Sequence, residues 1–308
     1  MTDLVFGVNL STAAGHGTDP VAEAIRAEGL GYDFVSANDH PNGTTPTHEV
    51  WTLLAWVAAR TSRIKVASRV LGVPYRSPAI VAKMAATLQG LSGGRLILGL
   101  GGGSSDEGMQ ALGVGPLTPR AKIDGLEDAV QIMRGVWSQR DFSFDGSIYA
   151  VDGANFEPKP DTPIPIWLGT FGQRGLAITG RLADGWIPSL GMAPPEQARL
   201  MRERIVTAAR EAGRDPGTIT CIYNVEIRLE ENRQPTPDIV SGSPEQVIER
   251  LLGFVHLGFD GMNFIPIGPR RDEQLERLAR EVLPQLRAAS SQDRPRAQMQ
   301  PVRDRSAQ

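Results

Sequence analysis

The chain has 308 residues, 41% of them hydrophobic and 22% charged, with a formal net charge of −3. That balance belongs to a folded domain with a large core and excludes a disordered or strongly polyionic chain. Lysines and arginines are spread out and matched by acidic residues, which excludes a nucleic-acid-binding surface built from a basic segment.

No run approaches the roughly 20 apolar residues of a membrane span. The first ten residues lack the basic start and long apolar core of a signal peptide, so a cytoplasmic protein with no membrane partner is expected. The single cysteine, Cys221, leaves out an internal disulfide and thiolate metal clusters, and reads as a small buried hydrophobe.

Eight short apolar runs rich in β-branched residues alternate with amphipathic segments. The first, Leu4 to Leu10, precedes a helix start at Asp19-Pro20. The second, Tyr32 to Ala37, precedes Thr45-Pro46 and a buried face of Val50, Leu53, Leu54 and Val57. The third, Ile64 to Leu71, precedes Ser77-Pro78. Each of these pairs puts a capping side chain before a proline at the first helical position. The fourth, Arg95 to Leu100, runs straight into Gly101, Gly102 and Gly103. A helix from about Pro119 to Gln139 and a hairpin with Asp145-Gly146 as its turn follow, forming an insertion at about 104–163. The remaining runs are Ile164 to Leu168, Gly185 to Pro188, Thr220 to Ile227 and Met262 to Ile267. Before the last stands Ser243-Pro244, where Ser243 and Gln246 fit a capping box. Residues 290–308 are rich in Gln, Arg, Pro and Ser without periodicity and predict a disordered tail, leaving 1–289 as one domain.

Most strands read as continuous apolar runs, the pattern of parallel strands covered on both faces. Eight strand-helix units then predict a (β/α)8 TIM barrel with an insertion after the fourth strand; a doubly wound open sheet is the alternative.

In a barrel the strand ends and following loops build the site. The second strand ends in Asn38-Asp39-His40, the third passes through Ser68, Arg69 and Val70, and the fourth ends in the three glycines. Glycines at a strand exit serve tight turns as well as ligands. The fifth strand ends in Gly169-Thr170-Phe171-Gly172-Gln173-Arg174, where amides at a helix start beside an arginine suit a phosphate. Asp39 and His40 also have plainer readings, as a turn cap and a solvated loop residue. Trp51 fits core packing at its helical spacing. The histidines at 16, 40, 48 and 256 show no ligand spacing, so no metal is expected.

The segments AEGLGYDFVSANDH (27–40), PYRSPAIVAKMAATLQGLSGGRLILGLGGG (74–103), IPIWLGTFGQRGLAITGRLADGW (164–186) and GSPEQVIERLLGFVHLGFDGMNF (242–264) resemble, in order and spacing, the luciferase-like flavin and deazaflavin oxidoreductases. The resemblance covers about 6–286 and implies a barrel with FMN or the 5-deazaflavin coenzyme F420 across its C-terminal mouth. It implies hydride transfer to or from a small organic substrate, with F420 ahead of FMN because of the Asp-His pair. His40 would handle the proton, and Asp39 would tune it or bond the ring. Ser68, Arg69 and Val70 match a bend where many members hold a non-proline cis peptide behind the ring. Residues 101–103 would approach the ring or its ribityl chain, and Gly169, Thr170, Gly172, Gln173 and Arg174 would hold the phosphate. The loops after the first, second, fourth and seventh strands suggest His16, Asn42, Ser104 and Asn224 for the substrate. Ser104 and Ser105 depart from the Trp or Glu that many members carry there. An FMN-dependent monooxygenase, fed by a flavin reductase, is the alternative, and a homodimer is common in such a family.

Two rivals come from other classes. A nicotinamide dehydrogenase is disfavoured, because the glycines lack the third position of the dinucleotide fingerprint and prolines follow. A non-catalytic barrel that binds a phosphorylated ligand would need the anion loop but not His40.

Overall fold

The eight apolar runs form eight parallel strands in the computed structural model, which describes residues 4–15, 17–103, 106–231 and 236–292. They are β1 (Val5–Asn9), β2 (Phe34–Ala37), β3 (Lys65–Ser68), β4 (Leu96–Gly101), β5 (Ile166–Leu168), β6 (Gly185–Trp186), β7 (Thr220–Leu229) and β8 (Gly261–Pro266). Each pairs with its neighbour in chain order. The sheet closes because β8 also pairs with β1, Val5 opposite Gly261, while β6 joins β7 through Gly185 opposite Thr220. A doubly wound sheet keeps two open edges, so closure settles the fold as the expected barrel. Two short strands, Leu71–Gly72 and Ile239–Gly242, extend the pairing of β4 and β7 at their C-terminal ends.

The outer ring comprises α1 (Pro20–Gly29), α2 (Val50–Arg60), α3 (Pro78–Leu91), α4 (Pro119–Ser138), α5 (Gln173–Leu182), α6 (Pro195–Glu211), α7 (Pro244–His256) and α8 (Arg271–Arg277). A π turn, Leu278–Val282, joins α8 to α9 (Leu283–Gln292). The helix thus enters the stretch expected to be a tail, and residues 293–308 lie outside the described ones. One apolar layer lies between strands and helices. A second fills the barrel, where Phe34 and Trp167 meet edge to face at 5.5 Å beside Ala67, Ile97, Ile187 and Ile222.

Local chemistry explains the helix starts, with two corrections, the first that Ser77 precedes Pro78 at the start of α3 but its side chain makes no capping hydrogen bond. Asp19 accepts from the amides of Val21 and Ala22, and Ser243 and Gln246 form the expected capping box. Thr45-Pro46 does not start a helix: α2 begins four residues later, capped by Glu49, whose carboxylate accepts from Trp51 and Thr52. The hairpin also differs in its turn. Its strands are Phe142–Asp145 and Ala150–Ala154, joined by a four-residue loop instead of a tight Asp145-Gly146 turn. Asp128 on α4 accepts from the amides of Ile148 and Tyr149 and holds that loop open.

Glu28, at the end of α1, ties the entry of β3 by accepting from the amides of Ser62, Arg63 and Ile64 at 2.7–2.9 Å. Desolvation raises its pKa, but the amide bonds outweigh that and hold it at about 2, against 4.5 ordinarily. A depressed carboxylate stabilises the fold above its unfolded pKa and loses that contribution as pH falls. The melting temperature of Glu28→Gln should therefore lie below wild type at pH 7, with the gap closing between about pH 4.5 and pH 2. A gap unchanged across that range would assign the loss to packing instead of charge.

Candidate active site

At its C-terminal end the barrel interior changes from apolar to polar. Asn9, Ser36, Asn224 and Asn263 are buried there and satisfy one another. The Ser36 hydroxyl lies 3.2 Å from Asn9 Oδ1 and 3.1 Å from Asn263 Oδ1, and Asn263 Nδ2 donates to Asn224 Oδ1 at 2.8 Å. Asn224 Nδ2 in turn donates to the carbonyls of Ile187 and Pro188. Asn224, expected on the substrate, is thus consumed inside the wall, since a buried amide must find partners. His16 and Ser104 lie outside the described residues.

Beyond β3 the chain bends at Ser68, Arg69 and Val70, and the Arg69–Val70 peptide bond is cis. Ser68 does not face a ligand: its hydroxyl donates to the Gly99 carbonyl at 2.8 Å and accepts from the Gly99 amide at 3.0 Å. Val70 wedges toward β4 and β5. A β-carbon on Gly101 would lie 2.6 Å from a Val70 methyl, one on Gly169 3.2 Å, and one on Gly99 1.9 Å from the Ser68 carbonyl oxygen. These glycines make room for the chain's own bend, so the close approach expected of a ring at Gly101 is already taken by Val70. Gly102 packs near Lys122, and Gly103 carries a φ of +87°, the left-handed geometry that glycine tolerates.

Asp39 is buried and both its oxygens are engaged. Arg76 donates to them at 2.8 and 3.1 Å, and the Gly72 amide donates at 2.9 Å. Arg76 also reaches Glu49 at 2.8 Å. Desolvation lowers the Arg76 pKa, but the two carboxylates outweigh it and the guanidinium stays charged. Asp39 is therefore not available to tune His40 or bond a ring in the way expected; it anchors the loop that carries His40. His40 itself is exposed and, with Asn42, Tyr75, Glu107, Gly108 and Leu112, lines a cleft of about 360 Å³. It makes no hydrogen bond or ion pair among the described residues.

The loop after β5 leads to α5, whose N-cap, Gly172, offers no side chain to the first amides. A β-carbon at Gly172 would meet nothing within 4 Å, so open space stands over that helix start. Gly172, Gln173 and Arg174 line a groove of about 690 Å³ with Arg120 and Ile123. Arg174 pairs with Asp124, which Arg120 also contacts, and the two arginines lower the Asp124 pKa. Two guanidinium groups and one carboxylate leave a net positive charge beside free amides, which suits a phosphate. Thr170 is not part of this cradle, because its hydroxyl is buried against Thr179 at 2.8 Å.

Arg69, expected at the bend, has partners that the sequence does not reveal, and Glu226 escapes sequence reading. Arg69 is held by Asn9, to which Nε donates at 2.8 Å, and by Asn38. Burial lowers its pKa to about 10, against the opposing charge of Glu226. Glu226 follows Asn224 by two on β7 and so shares its inward face. The alternation Asn224, Glu226, Arg228 between apolar neighbours is a period-two signal that reveals this face. Another cavity, of about 610 Å³, opens at the opposite end against Phe34, Ile97 and Trp167. Its carboxylates Glu28, Asp33 and Asp184 are all bonded to amides, which leaves it without free chemistry. Burial raises the Cys221 thiol to about 12, so it is no nucleophile. Among the described residues no helix is long and apolar enough to cross a membrane, and no cluster of three or more His, Cys, Asp or Glu can hold a metal.

Comparison with known proteins agrees with the barrel fold. The F420-dependent glucose-6-phosphate dehydrogenase of Kineococcus radiotolerans is 28% identical over 86% of this chain and 91% of its own. That of Microbacterium testaceum is 25% identical over 92% and 98%. An F420-dependent secondary alcohol dehydrogenase, solved with an F420-acetone adduct, superposes with a TM-score of 0.83 at 20% identity over 92% of this chain and 99% of its own. The oxygenating constituent of 3,6-diketocamphane monooxygenase from Pseudomonas putida, solved with FMN, gives 0.75 at 16% over 92% and 99%. The family model described as luciferase-like monooxygenase matches residues 5–236, and it spans the strands and loops that carry the His40 cleft and the α5 cradle. The chain belongs to the luciferase-like monooxygenase family.

Proposed function

We propose that the protein is an oxidoreductase that moves a hydride between coenzyme F420 and a small alcohol or carbonyl substrate in the barrel mouth. The observation that carries this reading is one end of the barrel holding both an uncapped, positively flanked helix start and a cleft histidine without a hydrogen bond or ion pair among the described residues. The residues fit the cofactor: the amides of Gln173, Arg174 and Gly175 and the Arg120-Arg174 pair would hold its phosphate, with open space above Gly172. When bound, the deazaflavin supplies two-electron hydride chemistry. Three of the proteins named above are F420-dependent dehydrogenases, two of glucose 6-phosphate and one of secondary alcohols, and this supports a carbinol substrate.

In the oxidising direction this chain's residues would position the alcohol and receive its proton, while the carbinol hydrogen leaves as hydride to the bound cofactor. His40 would accept the O–H proton as the carbonyl forms. Asp39, through Arg76 and the Gly72 amide, holds the loop so that His40 stays in the cleft. FMN-dependent oxygenation is the second reading, favoured by the FMN-bound neighbour, and it requires a flavin reductase as partner.

Titration of the purified protein with F420, FMN and FAD separates these readings. Saturable F420 binding is expected, followed by its reduction with a secondary alcohol or glucose 6-phosphate. Tight FMN binding with oxygen uptake by the reduced form would transfer the assignment to the monooxygenase. Binding without turnover, indifferent to His40, would make the barrel a non-catalytic phospholigand binder.

A further inference from the structure

The guanidinium of Arg69 stands at the mouth with neutral partners only. Nε is shared between the side-chain oxygens of Asn9 and Asn38, Nη2 bonds Asn38, and Nη1 makes no hydrogen bond among the described residues. Carboxamide oxygens satisfy donors but do not cancel charge, so the buried guanidinium has no bonded counter-ion and feels an opposing charge only from Glu226, which does not touch it. Glu226 stands nearby: on β7 it is level with Ile265 of β8, and Ile265 follows Phe264, the register partner of Val8 just before Asn9. Asn9 and Glu226 therefore occupy one layer, one strand apart. The Glu226 side chain is exposed and makes no hydrogen bond or ion pair among the described residues.

Resting on the F420 reading, we infer that Arg69 and Glu226 set the ionisation state of the ring held in the mouth, Arg69 favouring the anionic form and Glu226 opposing it. A deazaflavin ring with an ionisable hydroxyl forms a delocalised anion, and a fixed positive charge stabilises that form selectively. An anionic ring at the mouth would supply the negative charge that the Asn9 and Asn38 carboxamides do not. Glu226 keeps the pocket from being a general anion trap, because its charge must be overcome by a ligand with further contacts at the α5 cradle. Both act on the ring's electronics and are positioning residues; proton transfer stays with His40.

The test is the absorption spectrum of F420 bound to wild type, Arg69→Gln, Arg69→Lys and Glu226→Gln, at the pH where free F420 is half ionised. Wild type should shift the bound ring toward the anion by about tenfold in the ionisation equilibrium. Arg69→Gln should return it to near the free ratio, Arg69→Lys should keep most of the shift, and Glu226→Gln should move it further toward the anion. A merely structural role would change affinity and leave the bound spectrum alone. An unshifted bound spectrum in wild type, or Arg69→Gln matching wild type, overturns this inference while the cofactor reading stands. Absence of F420 binding to wild type overturns both. The exposed Glu226 provides the variant least able to disturb folding, and its shift must be opposite in sign to that of Arg69→Gln.

Discussion

Replacement of His40 by alanine is expected to slow single-turnover reduction of bound F420 by about 10²- to 10⁴-fold, with cofactor affinity within a few-fold of wild type. The two halves of that expectation rest on different parts of the mouth. The proposed phosphate site is the α5 start, where uncapped amides and the Arg120-Arg174 pair stand apart from the loop after β2. Proton transfer needs a titratable side chain free of internal partners and open to the cleft; His40 meets both conditions among the described residues, whereas Asp39, on the same cleft wall, has both oxygens bonded. Asp39→Asn provides the contrast. It weakens the Arg76 bridge that fixes the loop, so a fall in rate should come with a drop in melting temperature that His40→Ala does not show. The measurements are stopped-flow absorbance of the bound cofactor, its titration by fluorescence, and thermal unfolding of both variants. Full turnover in His40→Ala would move the proton to another group, and Glu107, exposed in the same cleft, would be the next to test.

What the sequence made legible and what it hid divide along a physical line. Strands, helix starts and barrel closure follow from local signals, since an apolar run, a cap and a proline each act within a few residues. The side chains at strand ends depend on partners far along the chain. Asp39 reads as a site carboxylate until Arg76, 37 positions on, takes both oxygens. Ser68 and Thr170 read as polar lining, yet their hydroxyls close onto Gly99 and Thr179. Asn224 is one link in a chain of amides crossing three strands. In each case burial demanded a hydrogen bond, and only the fold could say where it would be found. Glu226 is the converse, concealed at the end of an apolar run although the alternation around it pointed inward.

Among the glycines of β4 and its exit, Gly99 carries the largest expected effect on stability. Gly99→Ala should leave the protein insoluble or lower its unfolding free energy by more than about 4 kcal/mol, a size reserved for substitutions that the backbone cannot absorb. The new β-carbon would sit 1.9 Å from the Ser68 carbonyl oxygen. That oxygen cannot retreat, because the Ser68 hydroxyl is bonded to both the amide and the carbonyl of Gly99. β4 cannot retreat either, being paired with β3 on one side and with β5 on the other, Gly99 opposite Trp167. Gly102→Ala is the control: its β-carbon would meet Lys122 Cβ at 3.5 Å, an ordinary contact, and the cost should stay under about 1 kcal/mol. Urea unfolding of both, together with F420 titration of whichever folds, separates two roles for glycine. If the strand were glycine-rich only to admit a ligand, Gly99→Ala would keep wild-type stability and lose cofactor. A loss of stability places the demand on the chain itself: the bend at 68–70 that brings Arg69 to the mouth exists because β4 leaves room for it.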